Sequence, residues 1–279
     1  MTVDQREMVH RVLAKVPAVT LGFWIIKILA TTLGETAGDA VTMSWFGETT
    51  AHPLFSSGHW GYLYGTFLLG IPLAILIFTQ IKARAFQPLL YWATIIASTM
   101  AGTSLADFCD RFIGDGTAAS YLLGTIILLS CVLTTLFVWR KTLGTVSVAS
   151  VTEPKAELFY WITITFSQTL GTALGDWLAD TSISGHPIGY MGGALVFGAA
   201  LLLVALLYFR TALSRAGLFW AAFILTRPLG ATVGDFLDKP HAKGGLDFSR
   251  PLASIALLAA IGLCLLIIPQ RAASASEAH

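Results

Sequence analysis

The chain has 279 residues, of which 55% are hydrophobic and only 12% are charged, and its mean hydropathy is +0.73. Soluble domains carry about a quarter of their residues as charge, so this composition predicts a single membrane domain over residues 1–279. A net charge of +1 excludes the strongly basic surface that nucleic-acid binding requires, and the three cysteines are too few and too scattered for a disulfide scaffold.

Eight segments of the chain are long and apolar enough to cross a bilayer, since a spanning helix needs roughly 20 apolar residues. They cover about 17–41, 60–80, 88–108, 118–139, 158–178, 189–209, 217–237 and 251–269. Eleven of the Lys and Arg residues outside the segments fall on one side and four on the other. The positive-inside rule therefore predicts a multi-pass protein with both termini in the cytoplasm. The small polar residues 271–279 predict a disordered tail.

Four of these segments, the first of each pair, share one sequence pattern. Each begins with an aromatic residue and Trp, with Gly ten residues after that Trp and Asp fifteen residues after it. The copies are FWIIKILATTLGETAGD, YWATIIASTMAGTSLAD, YWITITFSQTLGTALGD and FWAAFILTRPLGATVGD, whose Trp residues are Trp24, Trp92, Trp161 and Trp220. These gapless copies predict tandem repeats at about 17–81, 86–140, 156–210 and 215–270. The four Trp residues are expected to form a belt at the membrane interface.

Each repeat contains two spans, so all four copies enter the membrane in the same direction. This predicts an all-α membrane protein of eight transmembrane helices, arranged as four parallel helical hairpins with pseudo-fourfold symmetry. The first helix of each hairpin is rich in Gly, Thr, Ser and Asp, whereas the second is almost wholly apolar. We therefore expect the first helices to face one another at the centre and the second helices to face lipid.

The four-copy pattern resembles a family of bacterial inner-membrane proteins that are built from tandem repeats of two spans with a characteristic Trp. The resemblance covers almost the whole chain, from Trp24 to Pro269. It implies the topology and a location in the bacterial inner membrane. It carries no reaction or substrate, so the function has to be inferred from the residues.

A polar stripe runs along each first helix at seven, eleven and fifteen residues after the Trp, because steps of four residues share one helical face. Its acidic members are Glu35, Asp39, Asp107, Asp176 and Asp235. A carboxylate in hydrocarbon is costly unless it is paired, hydrated or protonated, so these groups are expected to converge on a central cavity. Carboxylate and hydroxyl oxygens suit hard cations such as Mg²⁺, Mn²⁺ or Ca²⁺, and equally protons or Na⁺. The five acids are thus the predicted cation or metal ligands.

Further charged residues accompany this stripe. Asp110, Asp180 and Asp238 follow the motif Asp residues and are expected at the outer mouth of the cavity. Lys27 and Arg227 lie inside the first and seventh spans, where they serve either as internal ion pairs or as coupling groups that compete with the substrate for the carboxylates. The five predicted ligands against these two bases leave a surplus of three negative charges, which favours a cation.

These features predict a cation transporter rather than an enzyme, with efflux of a divalent metal such as Mn²⁺ in exchange for protons as the first hypothesis. The ion is the substrate, so no cofactor is expected, and the predicted partners are the lipid bilayer and a small cation. Pro228 marks the seventh span as the candidate for an unwound, moving element. A proton or monovalent-cation channel is the alternative, since acids from four helices can line a selectivity ring. A membrane enzyme acting on a lipid or quinone is disfavoured, because no span offers a nucleophile, a phosphate-binding loop or a pair of haem-ligating His residues.

Overall fold

The computed structural model describes residues 15–47, 60–114, 116–181 and 188–273, and within these ranges the protein is all-α apart from one short backbone bridge. Its long helices are α1 (Leu21–Asp39), α2 (Gly61–Lys82), α3 (Pro88–Asp107), α4 (Ala118–Leu143), α5 (Pro154–Ala179), α6 (Gly189–Arg210), α7 (Arg215–Asp238) and α8 (Arg250–Ile267). Six of them, all except α1 and α5, are long and apolar enough to cross a membrane. The protein is therefore a multi-pass membrane protein.

The two helices that fall short carry charged residues along their length. α1 contains Lys27, Glu35 and Asp39, and all three are buried. α5 contains Glu157 and Asp176, which are buried as well. Because protein rather than lipid surrounds these groups, their helices do not need a continuous apolar surface.

The first helices of the four repeats form the centre of the bundle. α1 packs against α3, α3 against α5, α5 against α7, and α7 against α1, which closes a ring of four helices. About 61% of the residues in the apolar stretches of α3 and α7 are buried, compared with 11–28% in α2, α4, α6 and α8. The prediction that the first helices meet at the centre is thus confirmed, and most of the exposed apolar side chains lie on the second helices.

Each second helix packs mainly against the first helix of the following repeat rather than against its own partner. α2 lies on α3, α4 on α5, and α6 on α7, while the last helix, α8, returns to α1. The repeats are therefore interlocked, and the end of the chain completes the packing around its beginning.

The motif glycines allow the helices of the ring to approach closely. Each faces the residue seven positions after the Trp of the next repeat: Gly34 faces Thr99, Gly102 faces Gln168, Gly171 faces Arg227, and Gly230 faces Thr31. A Cβ atom at any of the four would lie within 3.0 Å of a backbone carbon of that neighbour. Only glycine fits these seams without moving a helix, which explains why it recurs in all four copies.

The motif Trp residues do not form the predicted interfacial belt. Trp92, Trp161 and Trp220 are at most 3% exposed and pack with neighbouring aromatic residues inside the ring, and Trp24 is half-buried. The buried indoles keep hydrogen-bond partners, as Trp92 donates to Gln270 at 3.0 Å and Trp220 to the carbonyl of Val146 at 2.9 Å. The belt prediction is wrong because the Trp side chains face neighbouring first helices, where they close one end of the ring. We call this the Trp end.

The helical irregularities lie where the sequence did not predict them. α7 runs without interruption from Arg215 to Asp238 through Pro228, so the predicted unwound element is absent from this helix. The chain forms π-helical turns instead at Ala40–Trp45 and Phe108–Ile113, directly after the motif Asp of the first two repeats. These wider turns lie at the opposite end of the ring, which we call the carboxylate end.

The two ends of the described chain meet at the Trp end. Pro17 forms an antiparallel bridge with Ala272, with the amide of Ala18 donating to the carbonyl of Arg271 at 2.9 Å. The neighbouring Lys15 ammonium lies 2.6 Å from a carboxylate oxygen of Glu157. The first three residues of the predicted tail, 271–273, thus belong to the folded bundle, and 274–279 lie outside the described residues.

Candidate functional site

Side chains of the four first helices fill the ring in successive layers. Each layer takes one residue from each repeat, at a fixed distance after the motif Trp. The first layer, three residues after the Trp, is Lys27, Ile95, Ile164 and Phe223, and the second, seven after it, is Thr31, Thr99, Gln168 and Arg227. The third, eleven after it, is Glu35, Thr103, Thr172 and Ala231, and the fourth, fifteen after it, is Asp39, Asp107, Asp176 and Asp235. None of these sixteen residues is more than 5% exposed. The polar stripe therefore faces the interior of the ring, and the last layer defines the carboxylate end.

A buried ion pair lies between the second and third layers. The guanidinium of Arg227 donates to a carboxylate oxygen of Glu35 at 3.0 Å. Its second terminal nitrogen donates to the hydroxyls of Thr103 and Thr172. Those hydroxyls in turn lie 3.2 Å and 3.4 Å from the same Glu35 oxygen. Groups from all four repeats thus meet in one network, in which hydrogen bonds offset part of the cost of burying both charges.

Two basic residues that follow the motif bind the four motif Asp residues in pairs. Arg111 lies 2.9 Å from its own Asp107 and 3.4 Å from Asp176 of the next repeat. Lys239 contacts its own Asp235 at 2.9 Å and also Asp39 of the first repeat. Both basic residues stand nineteen positions after the motif Trp, in the second and fourth repeats. The fourfold carboxylate layer therefore carries a twofold arrangement of bases.

Lys239 follows the last residue of α7 and so lies outside the membrane-spanning segment. The neighbouring carboxylates and its burial act on the pKa of its ammonium in opposite directions. Burial alone lowers the pKa of its ammonium, but the carboxylates of Asp235, Asp39 and Asp238 outweigh this and raise the pKa well above its ordinary value. Lys239 is therefore charged throughout the physiological pH range.

The three acids predicted at the outer mouth are all buried, and they differ in position. Asp238 joins the carboxylate layer, where it lies 3.1 Å from Arg250 and 3.8 Å from Lys239. Asp110 faces α4, because one of its carboxylate oxygens lies 2.4 Å from where a Cβ on Gly124 would be. Asp180 caps the end of α5. Asp238 is thus placed to share a ligand with the motif acids.

Among the residues that the structure describes, two sets of three carboxylates are close enough to hold a metal ion. Glu35, Asp176 and Asp235 each offer one oxygen within 4.8 Å of the other two, and so do Asp39, Asp235 and Asp238. A hard divalent cation binds oxygen at about 2.0–2.6 Å, so oxygens on opposite sides of it are about 4–5 Å apart. Both sets already meet this requirement. Asp235 belongs to both, and Asp107 belongs to neither.

Four of the buried carboxylates in this cluster keep an oxygen that accepts no hydrogen bond from any described residue. They are Asp39 Oδ1, Asp107 Oδ2, Asp235 Oδ1 and Asp238 Oδ1, of which the last two lie in ion-pair contact with Lys239. A buried carboxylate oxygen without a donor loses its hydration without replacement, so a proton or a cation at this position lowers its free energy.

The two predicted coupling residues have different environments. Arg227 contacts Glu35, as described above. Lys27 lies one layer nearer the Trp end, with its ammonium nitrogen 4.2 Å from the centre of the Phe223 ring. Among the described residues this nitrogen has no hydrogen-bond partner, and no carboxylate lies within ion-pair distance of it. The prediction that Lys27 competes for the carboxylates therefore has no counterpart in these contacts.

The sequence analysis missed three residues of the site. Arg111, Lys239 and Arg250 are three of the four Lys and Arg residues that the charge count assigns to the outer side of the predicted spans, and the structure brings all three to the carboxylates. For Arg111 and Lys239 a signal was present, because each follows its motif Asp by four residues and so shares its helical face. No spacing links Arg250 to its partners, since a loop separates it from α7.

Comparison with known proteins agrees with the repeat analysis. The profile of a family described as Repeat of Unknown Function (DUF347) matches residues 22–86, 90–145, 159–214 and 218–269. This confirms the four tandem repeats inferred from the Trp, Gly and Asp spacing. No curated protein and no solved structure gives a significant match to the chain.

Proposed function

The chain belongs to the family built from the Repeat of Unknown Function DUF347, and from this premise we propose that it is a divalent-cation transporter, with Mn²⁺ as the first substrate to test. In this proposal it lies in the bacterial inner membrane as eight spans with pseudo-fourfold symmetry and with both termini in the cytoplasm. The excess of Lys and Arg at one end of the spans supports this orientation.

The observation that carries the proposal is the pair of buried carboxylate sets that share Asp235. Acids that only end a helix in solvent have no reason to be buried together, because like charges in a low-dielectric interior repel strongly. Their retention in the centre of four helices is typical of sites that bind ions or protons inside a membrane. The oxygen-only ligand sets favour hard cations over softer metals such as copper.

The balance of charge favours a divalent ion. Glu35 and the four motif Asp residues supply five acids, and the bases in contact with them within the ring are Arg227, Arg111 and Lys239. Asp238 adds a sixth acid, and Arg250, which lies 3.1 Å from Asp238 and 3.9 Å from Asp39, adds a fourth base. In the absence of substrate, with Lys239 in place, the remainder is two negative charges, which two protons would neutralise. We therefore propose an exchange of two protons for each ion.

A carrier fits this arrangement better than a channel. On the Trp side of the carboxylates, the Arg227–Glu35 network and the aromatic side chains fill the ring, and Ile95, Ile164 and Phe223 are fully buried there. A continuous aqueous path therefore requires the Trp end to open, as alternating access demands. In the proposed cycle the ion binds at the carboxylate end, and opening of the Trp end accompanies loss of contacts in this network.

The test is ion flux into proteoliposomes that contain an indicator of Mn²⁺ and an indicator of pH. Wild-type protein is expected to move Mn²⁺ with opposing proton movement near two per ion, at a rate that saturates with concentration. Asp235→Asn removes a ligand from both carboxylate sets and is expected to abolish flux. Asp247→Asn, at an exposed loop position, is the matched control and is expected to behave as wild type.

Three results would contradict the proposal or redirect it. Absence of Mn²⁺, Mg²⁺ and Ca²⁺ flux in the wild type would refute it, as would equal flux in Asp235→Asn. Unsaturated currents far above carrier rates would favour the channel. For the direction of transport, a deletion strain carrying wild type, Asp39→Asn or Asp176→Asn can be grown in excess Mn²⁺, where only the wild type is expected to restore growth if the protein exports the ion.

A further inference from the structure

The most informative contacts outside the proposed transport cycle are those of Lys239. Its ammonium lies among Asp39, Asp235 and Asp238, which are the three residues of the second carboxylate set. We propose that Lys239 is a tethered cation that occupies this site in the absence of substrate and leaves it when a divalent cation binds. The inference rests on the proposed function, since it requires the carboxylates to bind an ion.

The geometry makes the two occupants mutually exclusive. The ammonium of Lys239 donates a hydrogen bond to Asp39 and lies 2.9 Å from an oxygen of Asp235 and 3.8 Å from one of Asp238, and these are the same three carboxylates that a metal ion would bind. A divalent ion held by these oxygens would lie within a few ångströms of the ammonium, where repulsion between like charges in a buried site is strong. Binding of the ion therefore requires Lys239 to move away.

The position of Lys239 in the chain permits this movement. It directly follows the last residue of α7, with an extended backbone (φ −76°, ψ 151°), and exposed residues of the following loop begin at Pro240. Rotation of its flexible side chain toward the end of the bundle leaves the backbone of α7 in place.

Arg111, at the equivalent position of the second repeat, does not share this role. Its guanidinium joins Asp107 to Asp176 through two different nitrogens, in a forked arrangement that a compact metal ion does not imitate. Asp107 belongs to neither carboxylate set among the described residues. One half of the carboxylate end is thus held by a fixed bridge, and the other half by a charge that a metal ion can replace.

The experiment measures Mn²⁺ binding to the full-length detergent-solubilised protein, by electron paramagnetic resonance of the free ion. Lys239→Gln removes the competing charge and is expected to bind Mn²⁺ about tenfold or more tightly than wild type. Lys239→Arg keeps the charge and is expected to remain within about threefold of wild type. Lys243→Gln, at an exposed position four residues on, is the matched control and is expected to leave affinity unchanged.

A second measurement needs no variant and so does not depend on how the substitutions fold. An amine-reactive ester is added to wild-type protein with and without Mn²⁺, and labelling is followed by mass spectrometry. Lys239 is only 8% exposed and is expected to label slowly without the ion and several-fold faster with it. Lys243 is exposed and provides an internal reference whose labelling stays constant.

The outcomes separate the two proposals. If the wild type binds Mn²⁺ but Lys239 labelling does not rise and folded Lys239→Gln binds no more tightly, the tethered cation is refuted while the transporter proposal stands. If the wild type binds neither Mn²⁺ nor another divalent cation, both are refuted. Faster labelling of Lys239 together with tighter binding by Lys239→Gln supports the tethered cation, and a purely structural Lys239 would produce neither.

Discussion

The Trp end and the carboxylate end of the ring are made by the same four helices, yet they differ in the forces that hold them. At the Trp end, aromatic and aliphatic side chains pack around the axis, and Lys27 is the one charged residue of its layer. At the carboxylate end, the motif Asp residues are buried, and Arg111 and Lys239 each bridge two of them. The comparison shows that one repeated motif of Trp, Gly and Asp can build two different ends. Side-chain packing closes one end of the ring, whereas ion pairs stabilise the other.

The two ends also keep the fourfold pattern to different degrees. Each repeat contributes a large apolar or aromatic residue near the Trp end, and each contributes an Asp at the other. The bases are not repeated in this way, because Arg227 has no counterpart and Arg111 and Lys239 occur in alternate repeats. The residues that pack the ring are therefore repeated in all four copies, whereas the basic residues that contact the carboxylates are not.

The largest effect is expected from Glu35→Gln, which tests whether cation binding extends from the carboxylate end to the layer of Glu35. The change removes a charged ligand from one carboxylate set and leaves Arg227 without its counter-charge. Mn²⁺ affinity is expected to fall about 100-fold or more, since both effects disfavour a cation. Isothermal titration of the purified protein measures it, and unchanged affinity would remove this set from the site. Glu153→Gln, at the start of α5, serves as the control.

The next effect concerns stability rather than binding. Arg227→Met leaves Glu35 buried without its counter-charge and is expected to destabilise the protein by roughly 3–5 kcal/mol, as for other broken buried pairs. Adding Glu35→Gln removes the uncompensated charge and is expected to recover most of this loss without restoring ion binding. Thermal unfolding in detergent compares the single and double variants. Additive losses in the double variant would show that the two charges are not coupled.

An intermediate effect is expected at the seams between first helices. Gly171→Ala places a Cβ against both the side chain and the backbone of Arg227, so the seam has to widen at a cost of about 1–3 kcal/mol. Gly198→Ala, on the lipid-facing helix α6, meets open space and is the matched control, expected to stay within about 1 kcal/mol of wild type. Equal thermal stabilities of the two variants would contradict the close packing of the ring.

The smallest effect is expected from Lys27→Met, which makes the layer of Ile95, Ile164 and Phe223 wholly apolar. Because Lys27 contacts none of the acids, Mn²⁺ affinity is expected to change less than about twofold, while stability rises by about 1 kcal/mol. Affinity and thermal unfolding test these two points. Flux in proteoliposomes sharpens the comparison further, since a loss of flux with affinity intact would assign Lys27 a coupling role at the Trp end.

Much of this arrangement was predictable from the sequence. The spacing of Trp, Gly and Asp gave the four repeats, and the four-residue steps that include Glu35 and Asp39 placed the acids in the interior, because helical periodicity alone decides which residues share a face. These inferences needed no knowledge of how separate helices meet.

The rest depends on tertiary contacts that leave little trace in the sequence. A Trp at the end of a span suits a lipid interface and a protein core equally well, so the burial of Trp161 was not predictable. The packing of α2 on α3 involves apolar surfaces without a distinctive pattern. Arg250 reaches Asp238 only because of the path of the loop between them. The four-residue spacing of Asp235 and Lys239, in contrast, was a usable signal.

The return of α8 to α1 has a consequence for biosynthesis. The ribosome completes α1 first, yet its neighbours α7 and α8 are the last helices to be made, and Glu35 meets Arg227 only after 192 further residues. Until then the charged first helix has neither its counter-ion nor half of its packing surface. The nascent chain therefore has to keep this helix hydrated or beside the insertion machinery, and a chain truncated before the last hairpin cannot finish the ring.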